Sequence, residues 1–456
     1  APDLIRLDKR LLELDSPFVA LERELARLIT SWRDHPDDAT DAATLAQAHV
    51  LIDQSRQQLH HLNSRAIASG SSLATAHLLE RLAQSLDRLE ALLAVLTAES
   101  PESEARHWLA LLNQLIENGL RRRNIRHLWS RSAYLLSQSI TQHKSAHGEH
   151  YIARGWQEYR RMYLSAAGAG IIIALMALLK IRLAGAAISY NTYILLSSLD
   201  YGIGFVLIYL CHCTVATKQP AMTAARMAEA IENTNQGRAG ARKLAQLLID
   251  VNRSQSIAVL GNLSLAMLTA TALSLIWAGK TGTPLLDHHS AEHQMAALAL
   301  PSALLYAAIA AVWLFCSGII AGYYDNRAQY LRLRERLRVN PLLRRLLREP
   351  ARARFADFVH DHLGALASNF LFGVLLGITP WIGKTLELPL DIRHIAFSSA
   401  NLAYATASHP AGIGTFLYGF LAVIAIGLVN LWVSFALALR VALRARDASF
   451  PPLRQF

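Results

Sequence analysis

Cysteine is nearly absent. Three in 456 residues, Cys211, Cys213 and Cys316, all inside apolar stretches, exclude a disulfide framework. Cys211-His212-Cys213 has the look of a metal motif. On a helix, however, residues two apart point about 200° from one another, and no second cysteine pair completes a site. Charge is scarce too: 17% of the chain is charged against 53% hydrophobic, which excludes an ordinary, wholly soluble protein. No segment of useful length alternates with strand period, so the chain reads as all-α. The first residues, Ala1-Pro2-Asp3, show no signal-peptide pattern, and the missing initiator Met is what a processed or truncated chain would show.

What the chain does have is apolar length. Six stretches, at about 163–180, 193–216, 257–278, 296–322, 364–383 and 414–439, each approach the roughly 20 residues needed to cross a bilayer as a helix. The net charge of +11 is distributed unevenly around them. Lys and Arg number six in 217–256, ten in 323–363 and four from Arg440 onward, against two in the first connection, 180–192, one in 279–295 and two in 384–413. By the positive-inside rule both termini are cytoplasmic, and the chain is expected to be a multi-pass protein of the bacterial inner (cytoplasmic) membrane that meets anionic headgroups.

Residues 1–160 are expected to form a soluble, cytoplasmic helical bundle, 161–447 the membrane domain and 448–456 a cytoplasmic tail. Leu4, Leu7, Leu11 and Leu14, and then Leu79, Leu82, Leu86, Leu89, Leu93 and Leu96, recur at helical spacing; Ser16-Pro17 and Ser100-Pro101 are helix-start signals. The bundle is a candidate surface for a protein partner. The basic run from Arg121 to Arg131 interleaves cations with Ile125, Leu128 and Trp129, and reads as a membrane-proximal face ahead of a nucleic-acid surface. Cytoplasmic helical hairpins are expected at 219–254 and, around Asn340-Pro341, at 327–362.

Polar groups inside spans are costly and stand as functional candidates. Asp200 lies in span two; Asn262 and Asn369 lie alike near the starts of spans three and five, which suggests a duplicated helix pair. Gly318/Gly322 and Gly373/Gly377 make GxxxG and predict close helix approach. The stretch 389–408 is expected to be re-entrant or interfacial, with Asp391 capping its helix and contacting Arg393 or His394. His143, His147 and His150 fall at i, i+4 and i+7 and would share a zinc ion on an unbroken helix; Gly148 interrupts it, and no other cofactor is expected. Asp287, His288, His289, Glu292 and His293 form a second group, read as a surface loop.

Ala216-Thr217-Lys218-Gln219-Pro220-Ala221-Met222-Thr223 closely resembles a bacterial membrane-protein family labelled site-specific recombinase. Further matches are Gly148-Glu149-His150-Tyr151-Ile152, Ile320-Ala321-Gly322 followed by Asp325-Asn326, and Pro389-Leu390-Asp391-Ile392-Arg393-His394. The label implies DNA strand exchange. A tyrosine recombinase needs a His-x-x-Arg to neutralise the scissile phosphate, and none occurs in this chain. The residues favour membrane transport or envelope-lipid handling, resting on Asp200, Asn262 and Asn369 within the spans, Glu149, His150, Lys218 and Gln219 inside, Asp325-Asn326 at the exit of span four, and Asp391, Arg393 and His394 outside. A non-catalytic scaffold that recruits a partner through the bundle is the alternative, and recombination the third.

Overall fold

The computed structural model describes residues 15–34, 42–69, 73–98, 100–123, 153, 155–218, 224, 231, 238–410 and 412–445. Every regular element among them is helical. The chain divides into two compact units, residues Ala1–Ser139 with Asn326–Leu333, and Ile140–Asp325 with Arg334–Phe456.

The first unit contains α1 (Pro17–Asp34), α2 (Ala42–Ser69), α3 (Leu73–Leu96) and α4 (Pro101–Arg123). Leu21 and Leu28 of α1, Ala48, Leu51 and Ile52 of α2, and Leu86 and Leu93 of α3 form its core, each spaced to fall on one helical face. Arg56 of α2 ties the outer side to α3 through Asp87 (2.8 Å) and Glu90 (2.5 Å). Ser100 caps α4, its hydroxyl accepting from Ser103 N–H at 3.2 Å. The N-terminal Leu4–Leu14 pattern and the run from residue 124 to 131 lie outside the described residues, as do Gln219, Glu149, the tail 448–456 and the His143, His147 and His150 trio.

The second unit holds α5 (Trp156–Ala184), α6 (Tyr190–Leu210), α7 (Arg238–Thr281), α8 (His288–Ala296), α9 (Ser302–Tyr330), α10 (Leu333–Val339), α11 (Pro341–Leu346), α12 (Glu349–Leu386), α13 (Ile395–Ser408) and α14 (Ile413–Ala445), α9 and α10 being shared at their junction with the first unit. Six of these, α5, α6, α7, α9, α12 and α14, are long and apolar enough to cross a membrane. Their outward faces carry large apolar side chains such as Leu268 (62% exposed), Leu428 (62%) and Trp432 (75%), a surface suited to lipid rather than water. Span five crosses span two closely at glycine: a Cβ on Gly373 would collide with the Tyr201–Gly202 backbone, and one on Gly377 with Ser198.

Two boundaries differ from the sequence expectation. Span two ends at Leu210 rather than near 216: Cys211 caps it, and His212 adopts a left-handed backbone (φ 54°) that reverses the chain. Span four begins at Ser302 rather than 296, because 288–296 forms the separate α8 and Pro301 stands at the entrance to α9. The second arm of the expected 219–254 hairpin is not a separate element; it is the start of the 44-residue α7, continuous with span three. At 327–362 the chain instead makes α10, α11 and the start of α12, with Asn340 Oδ1 accepting from Leu342 and Leu343 N–H.

Candidate functional site: two facing re-entrant segments

After the reversal at His212 the chain does not leave the bundle. Val215, Ala216 and Thr217 are 5%, 0% and 1% exposed, and 216–218 close into a single 3-10 turn. From the opposite end, the segment 388–394 leaves α12 and enters as extended chain, and α13 runs back out. At 14 residues α13 is about 21 Å long, too short to cross a bilayer. It is enclosed on every side: Ala396, Ser399, Ala400, Leu402 and Tyr404 are all 0% exposed. Its far end is anchored at the α7–α9 connection, where Leu286 N–H donates to Ser408 Oγ (3.2 Å) and Leu286 O meets His409 Nε2 (2.9 Å). The stretch 389–408 therefore enters the helical bundle and turns back within it.

The innermost residues of the two segments meet. Thr217 Oγ1 and His394 Nε2 are 2.7 Å apart, with both residues 1% exposed. The rings of Phe397, Phe372 and Phe205 surround the imidazole at 5.9, 6.3 and 6.5 Å between centroids.

Each segment is held by one buried asparagine, and the two arrangements match bond for bond. In the first, Asn262 of α7 accepts from Ala216 N–H (3.1 Å) and donates to Thr214 O (2.9 Å) and Ala166 O of α5 (2.6 Å), while Thr214 N–H donates to Ser165 O (3.2 Å). In the second, Asn430 of α14 accepts from Ile395 N–H (3.1 Å) and donates to Arg393 O (3.1 Å) and Ala307 O of α9 (2.8 Å), while Arg393 N–H donates to Tyr306 O (3.2 Å). Ser165-Ala166 thus corresponds to Tyr306-Ala307, Thr214 to Arg393, Ala216 to Ile395 and Asn262 to Asn430. The duplication suggested by the sequence is present, with a different partner. Asn369 donates to Ala365 O on its own helix and is not the counterpart of Asn262; Asn430 is. Sequence reasoning passed over Asn430, although Asn262-Leu263 and Asn430-Leu431 share their dipeptide.

Charged groups collect beside the second segment. Arg393 Nη1 reaches Asp391 Oδ2 (2.7 Å), as expected, and its Nε donates to Ala297 O (2.9 Å). Asp391 does not cap α13. Its Oδ1 accepts from Ile392 N–H (2.8 Å), and the first N–H of the helix goes to Asn430 instead. Asp200 of α6 feels the charge of Lys180 on α5, whose Nζ lies 5.1 Å from the Tyr201 ring centroid. Lys384 Nζ stands 3.9 Å over the Tyr190 ring. Asp325 Oδ1 accepts from Gly364 N–H (3.1 Å), where α9 and α12 approach, while Asn326 belongs to the first unit. Lys218 closes the 3-10 turn, and its side chain lies outside the described residues.

In the 282–301 connection, His288 lies 3.5 Å from Glu292 and its ring 5.3 Å from that of His409. The Ser290 hydroxyl holds Asp287 below the usual carboxylate range. Among the described residues no group of three or more His, Cys, Asp and Glu is arranged to hold a metal.

No curated protein and no solved structure matches this chain. A family model does, over residues 1–456, and it covers both re-entrant segments and both asparagine clamps. The chain belongs to the family described as site-specific recombinase.

Proposed function

We propose that the six-span unit is a membrane transport protein, moving a solute or an envelope lipid between the two faces of the bacterial inner membrane. The observation that carries this reading is the pair of matched asparagine clamps holding two segments that enter the bundle from opposite ends and touch at Thr217 and His394. Each clamp belongs to a set of three spans, α5–α7 and α9, α12 and α14. Three is odd, so the second set crosses in the opposite sense from the first. Inverted repeats with broken helices meeting inside the membrane are the architecture of many secondary transporters, in which one half rocks against the other. Non-helical backbone at that depth is tolerated where it is enclosed in protein or lines a cavity. We read the face carrying the Lys- and Arg-rich stretches 217–256 and 323–363, and with it both termini, as cytoplasmic on the positive-inside rule.

The test is thiol accessibility in a background with Cys211, Cys213 and Cys316 replaced by Ala. Val215→Cys and Ile392→Cys, on the first and second segments, should react with a membrane-impermeant maleimide from opposite sides of oriented vesicles. If neither reacts while a cysteine in an exposed connection does, the bundle is sealed and the transport reading fails.

A scaffold role has one observation in its favour. On α4, Trp108, Leu109, Leu112 and Ile116 are each more than half exposed, an apolar face suited to a partner helix. That role and transport are compatible, since they occupy different units.

A further inference from the structure

The clamps are duplicated because the fold needs them twice. Lys180 and Asp200 are not duplicated. The correspondence of Ser165-Ala166 with Tyr306-Ala307 sets a register on the first span of each half, and in that register Lys180 falls on Ala321, which is 4% exposed. Span five, the counterpart of α6, has no Asp or Glu between Leu363 and Leu386. The scaffold can therefore be built without these two charged groups.

Asp200 is also chemically unfinished. Among the described residues Asp200 Oδ2 is closed to solvent and has no hydrogen-bond partner. An ionised carboxylate with an unfilled acceptor inside a span is expensive, and a proton on that oxygen removes the cost. The charge acting on Asp200 is that of Lys180 from α5. Tyr201 follows it on α6, and Asp391 and Arg393, which also act on Tyr201 from the second segment, are bound to each other.

We propose that Asp200 is a proton-exchange site within the membrane, with Lys180 as its fixed counter-charge. A proton from water adds to the partly exposed carboxylate and takes the group from −1 to 0, which removes the charge from the unpartnered Oδ2; the same O–H bond breaks to return the proton to water. That this exchange drives ligand movement rests on the transport reading, whereas the exchange itself does not.

Dicyclohexylcarbodiimide tests it without a transported molecule. The reagent partitions into bilayers and adds to protonated carboxyl groups there, leaving a stable N-acylurea. Full-length protein in phosphatidylethanolamine–phosphatidylglycerol vesicles would be treated between pH 5.5 and 9 and mapped by peptide mass spectrometry. The adduct is expected on Asp200, to fall by about tenfold or more across that range, and to be absent in Asp200→Asn. Lys180→Met should move the pH of half-labelling, and Lys384→Met should not. An Asp200 that never reacts, or that reacts equally at every pH, overturns the proposal. Labelling as expected combined with sealed re-entrant segments would leave the proton site standing and remove transport.

Discussion

The equivalence of Asn262 and Asn430 can be measured. Leucine at either position keeps the number and branching of the side-chain heavy atoms and deletes three hydrogen bonds, one accepted from a buried backbone N–H and two donated to carbonyls. Interhelical hydrogen bonds in membrane proteins average about 0.6 kcal/mol each, so three amount to about 2 kcal/mol. An orphaned backbone N–H costs about 1–3 kcal/mol taken alone, which agrees in scale. Neither asparagine is more than 2% exposed, so water will not replace the lost partner. Asn262→Leu and Asn430→Leu should each lower stability by about 2 kcal/mol. At roughly 2 °C per kcal/mol for a domain of this size, that is a fall of about 4 °C in the melting temperature of detergent-purified protein. Nanodisc samples followed by tryptophan fluorescence would check the value in lipid. The decisive quantity is the difference between the two variants. If one loses 2 kcal/mol or more and the other nothing, the clamps are not equivalent and the repeat is an accident of geometry.

Gly373→Ala places a methyl against the Tyr201–Gly202 backbone, forcing α6 and α12 apart; a loss of about 1–3 kcal/mol is expected, read as a lower melting temperature with Gly412→Ala, which meets open space, as control. In the first unit the Arg56 guanidinium holds the Glu90 carboxyl below its usual range, so this stabilisation is present above the unfolded value near 4.3 and is lost as pH falls through the lower folded value. Both side chains are over one-third exposed, so Glu90→Gln should cost less than about 1 kcal/mol at pH 7, and the cost should shrink as pH falls below the unfolded value, by urea unfolding followed with circular dichroism. Asn340→Ala removes the cap of α11, and hydrogen exchange at Leu342 and Leu343 should speed up several-fold with no change in the spans.

The membrane spans were legible because crossing a bilayer requires a long apolar run, and that requirement is written residue by residue. The close approach of α6 and α12 was legible for a similar reason, since Gly373 and Gly377 leave no side chain between backbones. The reversal after Leu210 was not. Cys211, Cys213, Val215 and Ala216 are apolar enough to extend a span, and His212 takes a left-handed conformation without a glycine to announce it. Asn430 was missed because one asparagine in an apolar helix looks like any interhelical hydrogen bond; its meaning lies in a partner some 35 residues earlier, Ile395, and in a second asparagine doing the same elsewhere. The enclosure of α13 was hidden because its apolar residues face helices distant in sequence.

Duplication separates what the fold requires from what it carries. A group present in both halves in the same bonds, as the asparagines are, is explained by construction. A costly polar group present in one half needs another reason, and Lys180, Asp200, Asp391 and the His394 imidazole are of this kind. The same argument bears on the family's name. Strand exchange would need guanidinium groups free to neutralise a phosphate beside a nucleophile. Inside the bundle Arg393 is bound to Asp391; along α10–α12 Arg334 is bound to Asp357 and Asp361 and Arg338 to Asp357, while Arg344 and Arg345 have no ion pair among the described residues. Arginines already neutralised by carboxylates are poor phosphate ligands, whereas a buried acid with an unfilled acceptor is suited to a proton. The unduplicated groups of the bundle are therefore the positions at which the proposed proton chemistry is to be tested.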